Sequence, residues 1–256
     1  MSEAGRTAEL LGLPLFKTDL FLPRYRTGEL GAWRIVTCGL HVERGWHTGA
    51  WAVAEMPVLL RRAGAGWETW MSLSPCEIES QELACRHACG HTAVMGLGLG
   101  WVAANIALNP AVARVTVVER DPEVIELVAR AGGLDELPAA AARKLTIVQA
   151  DALDWRPAAA VDFLHVDIWR APAAPEALPD VRRIAAQVRA PLAYFWGQEL
   201  VLQAAASRLA PGPAAEPPHA RLARAAAEVL GLPLLVPADR DYAALVERVA
   251  RARGLP

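Results

Sequence analysis

The stretch Val94-Met95-Gly96-Leu97-Gly98-Leu99-Gly100 decides how this chain is read. Val94 and Met95 end a short apolar run, and three glycines then alternate with single residues ahead of a helical pattern over residues 100–108. Apolar run, glycine turn and helix, in that order, describe one βα unit. A glycine has no Cβ, so backbone or ligand can approach it closely. Roughly 20 residues later Val115-Thr116-Val117-Val118-Glu119 reads as a second buried strand that ends in a carboxylate, the spacing of a nucleoside-binding βαβ unit.

Working outward, residues 77–89 form a helical pattern that leads into the first strand at 92–96. The second strand covers 114–119. Asp121-Pro122-Glu123 starts the next helix with a capping carboxylate, proline at the first helical position and an acid in the first turn. Val124, Ile125, Leu127 and Val128 give that helix its apolar face, and Gly132-Gly133 ends it. Further short apolar runs at 145–148, 161–166 and 192–196 supply strands three to five. Short apolar strands that alternate with helices predict an α/β fold with a parallel sheet covered on both faces. Right-handed crossovers put the C-terminal end of every strand on one edge, where such sheets bind ligands. A sixth and seventh strand are not evident, and 232–236 is the one candidate for either.

The flanking regions differ in texture. Residues 1–75 hold β-like runs at 32–42, 50–61 and 67–73 with Gly-rich turns between them, so a small N-terminal β extension is expected. Residues 76–210 form the α/β unit, and 211–256 a helical segment that begins with a Pro-rich stretch. Arg240, Arg248, Arg251 and Arg253 are read as a solvated helix face.

With 256 residues, 54% of them hydrophobic and 21% charged, the chain can bury a sizeable core. Lys and Arg number 26 against 28 Asp and Glu, a net charge of −2. No global field therefore favours nucleic acid or an anionic membrane. No apolar run reaches the roughly 18 residues that span a bilayer. The N-terminus lacks the basic-then-apolar pattern of a signal peptide, and four cysteines in a chain this long make no disulfide framework, so a cytoplasmic location is expected. A homodimer stays open.

Four strand ends carry chemistry. Gly96, Gly98 and Gly100 follow strand one, and the alternative for the glycines alone is a tight turn that packs helix on sheet. Trp101 stands where a dinucleotide-binding turn would want Gly or Ala, which disfavours a pyrophosphate. Glu119 follows strand two, where a carboxylate accepts both hydroxyls of a ribose. Asp151, with Ala152, follows strand three and either accepts from an adenine amine or caps a helix. Asp167 ends the central strand four, a place for a general base or a partner for a cation. His165, two residues back on the same face, is read as a core histidine. These ends together describe a pocket for an adenosine-containing small molecule.

This ordering resembles the class I S-adenosylmethionine-dependent methyltransferases over about residues 90–200, a Rossmann-like fold. The resemblance implies S-adenosylmethionine as cofactor. It implies that Gly96, Gly98 and Gly100 accommodate the methionine part, that Glu119 holds the ribose, and that Asp151 with Ala152 faces the adenine. A branched side chain at Gly98 would then block the ligand without disturbing the ligand-free fold. A narrower resemblance, to spermidine-synthase-like proteins, rests on the N-terminal β region, on Cys76-Glu77-Ile78-Glu79-Ser80-Gln81-Glu82 and on Asp151-Ala152. Those proteins carry two aspartates three residues apart after strand four. Here the first is Asp167 and the second position is Arg170, which would set a guanidinium against a cationic amine.

Trp169 and Trp196 follow strands four and five, and with Glu79 they are the candidate acceptor-binding residues. The indoles could stack on a planar acceptor or serve as hydrophobic plugs, as Trp101 is read. Cys85 and Cys89 lie one helical turn apart with His87 and His91 nearby, but His87 falls on another face, so no metal site is assigned. The expected reaction is methyl transfer to a small-molecule acceptor, with Asp167 as the chemically active residue. Aminopropyl-type transfer, or a non-catalytic protein that binds a partner through this fold, are the alternatives.

Overall fold

A computed structural model of the chain describes residues 3–172, 174–210, 216–238 and 241–254. After α1 (Glu3–Leu10) come six strands: β1 (Gly28–Leu30), β2 (Trp33–Cys38), β3 (His41–Arg44), β4 (Ala50–Val53), β5 (Met56–Ala63) and β6 (Gly66–Ser72). β1, β2, β5 and β6 form an antiparallel sheet in that order, and β3 pairs with β4 in a separate hairpin. Two runs expected as single strands are each split. Residues 32–42 break at Gly39 and Leu40, and 50–61 break at Ala54 and Glu55. Glu55 has φ 52°, a left-handed conformation that cannot continue a strand.

The chain then alternates: α2 (Pro75–His87), β7 (Gly90–Met95), α3 (Trp101–Leu108), β8 (Val112–Glu119), α4 (Pro122–Ala131), α5 (Ala139–Ala142), β9 (Leu145–Gln149), β10 (Phe163–Val166), α6 (Ala177–Val188) and β11 (Leu192–Phe195). The five strands are all parallel in the order β11-β10-β7-β8-β9. This is a Rossmann-like α/β sheet. The chain winds outward from β7 to β9 and returns to β10 on the other side of β7, so the order reverses there and a crevice opens at the strands' C-terminal ends.

Alternation along each strand builds the two core layers. Val94, Val117, Phe163 and Tyr194 face one side, where they pack with α2, α3, α4 and the inner residues Trp33, Ile35 and Leu59 of the antiparallel sheet. Met95, Val118, Leu164, Val166 and Phe195 face the other, against α6 and the C-terminal helices. The signals at α4 act as read. Asp121 accepts from the Glu123 N–H at 2.9 Å, and Gly132 closes the helix in the left-handed conformation.

α7 (Gln198–Ala206) follows β11. α8 (Pro218–Arg224) runs on into a π-helical turn over Ala225–Leu230, and α9 (Tyr242–Ala252) completes the second layer. The candidate sixth strand contributes one parallel bridge, Leu234 to Ala193. Pro233 accepts from Ala193 but has no N–H of its own, which limits a longer ladder. Arg253 is exposed, as read, and its guanidinium also lies 4.5 Å over the Trp46 ring and donates to Gly45 O. Arg240 and residues 211–215 of the Pro-rich stretch lie outside the described residues. No described helix is long and apolar enough to cross a membrane.

Candidate active site

All five parallel strands deliver residues to one cavity of about 670 Å³. Gly96, Leu97 and Gly98 come from the end of β7, Glu119 and Arg120 from β8, Asp151 and Ala152 from β9, Asp167 and Trp169 from β10, and Trp196 from β11. The antiparallel sheet supplies the roof: Trp33, Leu59, Arg61, Trp70 and Met71. Nothing in the local pattern of residues 28–72 announced that roof, because it depends on how a separate sheet packs over α4.

Glu119 is fixed by backbone. The Leu97 N–H of the glycine turn donates to one of its oxygens at 3.0 Å, and the Asp121 N–H donates to the other at 2.8 Å. A carboxylate oxygen has two lone-pair directions, so each retains one for a ligand. The group is held in one orientation and can accept two vicinal hydroxyls. Asp151 is exposed and accepts the Leu153 N–H at 2.8 Å, so it caps its own turn while it lines the cavity.

The glycines serve the chain itself as well as the cavity. A Cβ on Gly96, whose φ is +94°, would lie 2.1 Å from the Asp167 carbonyl oxygen. One on Gly98 would lie 2.4 Å from Met71 Sδ, which also accepts the Leu99 N–H at 3.2 Å. The expectation that a branched residue at Gly98 leaves the ligand-free protein undisturbed is therefore replaced. The thioether of Met71 already rests on the turn, and a side chain there must displace it. Gly100 lies outside the cavity lining; it begins α3 in the left-handed conformation against Leu134 and Leu97.

Asp167 sits in a buried polar chain that the sequence reading did not assemble. Gln81 Nε2 donates to Asp167 Oδ2 at 2.7 Å, and Glu77 Oε1 lies 3.5 Å from the same nitrogen. With the Gln81 amide so committed, its oxygen accepts from His165 Nε2 at 2.8 Å, which puts the imidazole proton on Nε2. Burial pushes the imidazole down to about 3, so it stays neutral. Burial pushes the Asp167 carboxyl up to about 7, against the opposing Gln81 hydrogen bond. It holds Glu77 well above the carboxylate range too, with the Asp167 charge adding to the effect. Two buried carboxyls side by side ionise reluctantly together, and one proton between them is the favoured state near neutrality. Glu77 was missed because Glu77, Ser80 and Gln81, at i, i+3 and i+4, form a polar stripe that reads like a solvent face.

Glu79, expected to touch the acceptor, does not reach this cavity. Two residues along a helix turn the side chain by about 200°. Its carboxylate instead accepts from Thr48 Oγ1 at 2.5 Å and the His47 N–H at 3.1 Å, outside the main cavity. Trp169 and Trp196 both line the cavity, and each has its indole N–H engaged, with Asp180 Oδ2 at 3.0 Å and Ser80 Oγ at 2.9 Å. Trp101 is buried and donates to Phe21 O. Arg170 pairs with Glu68, 3.1 Å distant, and does not line the cavity. Glu176 and Asp180 add carboxylates that no motif marked, and the lining then holds seven acids against Arg61 and Arg120. That balance favours a cationic ligand.

No family model and no curated protein matches this chain. Among solved structures, the glycopeptide N-methyltransferase MtfA in complex with S-adenosyl-L-methionine is similar at 23% identity and a TM-score of 0.35, over 43% of each chain. A complex of DhpI with SAH is similar at 16% identity and TM-score 0.33, over 44% of this chain and 51% of that one. The methyltransferase domain of bacterial CtHen1 is similar at 13% identity and TM-score 0.33, over 44% and 63%. The matched part thus spans about half the length of the first two. The fold of this chain rests on its own strand order and register, not on these overlaps.

Proposed function

We propose that this chain uses S-adenosylmethionine to methylate a small-molecule acceptor held in the roofed cavity. The observation that carries the reading is Glu119: a carboxylate at the second strand's end, oriented by two backbone N–H groups, beside a glycine turn and above a cavity large enough for a nucleoside with a second molecule. Glu119 would accept the ribose hydroxyls, Asp151 and Ala152 would border the adenine, and Gly96 with Gly98 would border the amino-acid part once Met71 shifts. The acidic lining suits a sulfonium charge, so the residues present fit the group.

The cofactor would supply an electrophilic methyl carbon. The chain's residues do the rest. The indoles of Trp169 and Trp196 bound the space beside Asp167 and orient an acceptor there. An acceptor whose nucleophilic atom must lose a proton would pass it to the Asp167–Glu77 pair, which holds one proton and has one free site. Neutral His165 and Gln81 keep Asp167 aimed and take no part in the transfer. This role needs the pair ionised once, so the rate should rise with pH as the pair loses its first proton.

A second reading, aminopropyl-type transfer, is favoured by one observation: Arg170 pairs with Glu68, which removes the guanidinium from the path of a cationic amine. Incubation with S-adenosylmethionine and a panel of small nucleophiles, followed by identification of the nucleoside product, separates the two. S-adenosylhomocysteine means methyl transfer and methylthioadenosine means transfer of the other arm. A protein that neither binds nor consumes the sulfonium contradicts both.

A further inference from the structure

Three arginines of the antiparallel sheet meet indoles, but they differ in charge balance. On the outer face Arg34 and Arg62 flank the Trp67 ring at 4.3 and 4.4 Å, and both pair with Glu29. On the inner face Arg61, opposite Trp33 in the β2–β5 register, lies 5.6 Å from the Trp33 ring and 5.4 Å from Trp70. Its guanidinium makes no hydrogen bond or ion pair with any described residue. The two indoles meet edge to face, at 86°, and Trp33 is itself tied to Asp121 through its N–H at 2.7 Å. The cation therefore rests against a rigid aromatic corner in the cavity wall, with its donors uncommitted.

A guanidinium presents a planar fork that matches a carboxylate or a phosphate. Seven acids line the same cavity, so a multiply charged phosphate would be repelled more strongly than a single carboxylate that pairs with Arg61. We propose that Arg61 is the carboxylate-recognition residue of this cavity and binds one carboxylate of a ligand held there. The inference rests on the reading of the cavity given above. The carboxylate has two sources, the amino-acid end of the sulfonium nucleoside or the acceptor.

Calorimetric titration of wild type, Arg61→Gln and Arg61→Lys with S-adenosylhomocysteine and with 5′-methylthioadenosine distinguishes them, because the second ligand lacks the carboxylate. Loss of about tenfold to a hundredfold in S-adenosylhomocysteine affinity in Arg61→Gln, with methylthioadenosine unchanged and partial recovery in Arg61→Lys, assigns the carboxylate to the nucleoside. If both nucleosides bind normally to Arg61→Gln, benzoate and glutamate are titrated into the S-adenosylhomocysteine-loaded proteins. Saturable binding to wild type that Arg61→Gln lacks then assigns the acceptor. Nucleoside binding with no effect of Arg61 in either series overturns the proposal. If wild type binds neither nucleoside, it is the cofactor reading that fails. The same two carboxylates titrated into the free proteins then judge Arg61 alone: Arg61-dependent binding supports it, and none overturns it. Arg61 is exposed, so its variants should melt near wild type; should Arg61→Gln not fold, Arg61→Lys, which keeps the charge and loses the fork, carries the same comparisons.

Discussion

Two acid clusters among the described residues are largely withdrawn from solvent, and loss of solvent has done the same thing to both. In one, Glu77 and Asp167 share Gln81 beneath the cavity. In the other, Glu199 at the start of α7 has one oxygen 3.2 Å from the hydroxyls of both Tyr194 and Tyr242, and the Tyr194 hydroxyl also donates to Ser80 O. Asp167 and Glu199 are each pushed up to about 7, chiefly by loss of solvent. A raised carboxyl is therefore not by itself a mark of chemistry. The difference is access: Glu77 and Asp167 line a cavity into which five strand ends project, and Glu199 does not. The first cluster is placed to exchange a proton with a ligand, and the second to join sheet, α7 and α9 through hydrogen bonds.

That contrast can be broken by substitution. Asp167→Asn should lower turnover by roughly 10²–10⁴ at saturating cofactor while nucleoside affinity hardly moves. Glu199→Gln should leave turnover near wild type. Equal losses in the two variants would mean that access does not separate the clusters. Next in size is the backbone that frames the first cluster. Gly96→Ala forces a Cβ against the Asp167 carbonyl at φ +94°, and should cost about 2–4 kcal/mol, read as a fall in Tm of roughly 10 °C. Gly98→Ala meets only the movable end of Met71 and should cost about 1 kcal/mol. A further effect, read by pH instead of substitution, belongs to both clusters. Each carboxyl has a folded pKa above its unfolded one, so its stabilising contribution is complete below the ordinary carboxylate range and disappears as pH rises through about 7. Between pH 6 and 9 each should withdraw about 1.5 kcal/mol. Thermal melts across that range should fall for wild type and flatten partly in Glu199→Gln and in Asp167→Asn. A flat wild-type profile would contradict the burial of both.

The ligand edge was legible in the sequence because each strand there is short and largely apolar, and ends in a residue whose chemistry differs from its run. Glu119, Asp151 and Asp167 stand out for that reason, and Asp121-Pro122 marks a helix start by local hydrogen bonding alone. The walls were not legible. Glu77 and Gln81 lie on a helix whose inward polar stripe is indistinguishable from an outward one until the helix is docked. Glu79, named from the same helix, faces Thr48 and His47 instead. The roof residues Trp33, Arg61 and Met71 come from strands whose register is plain but whose partner layer is distant in sequence. What is local was read; what depends on two layers meeting was not.

Glu119 as the ribose anchor carries the proposed function. The direct test is a calorimetric titration of S-adenosylhomocysteine into wild type and Glu119→Ala, with melting curves that confirm the variant is folded. Loss of charge-assisted hydrogen bonds to the ribose should cost about 1.5–3 kcal/mol, so affinity should drop roughly tenfold to a hundredfold. Absence of saturable binding to wild type, or unchanged affinity in a folded Glu119→Ala, would contradict the account.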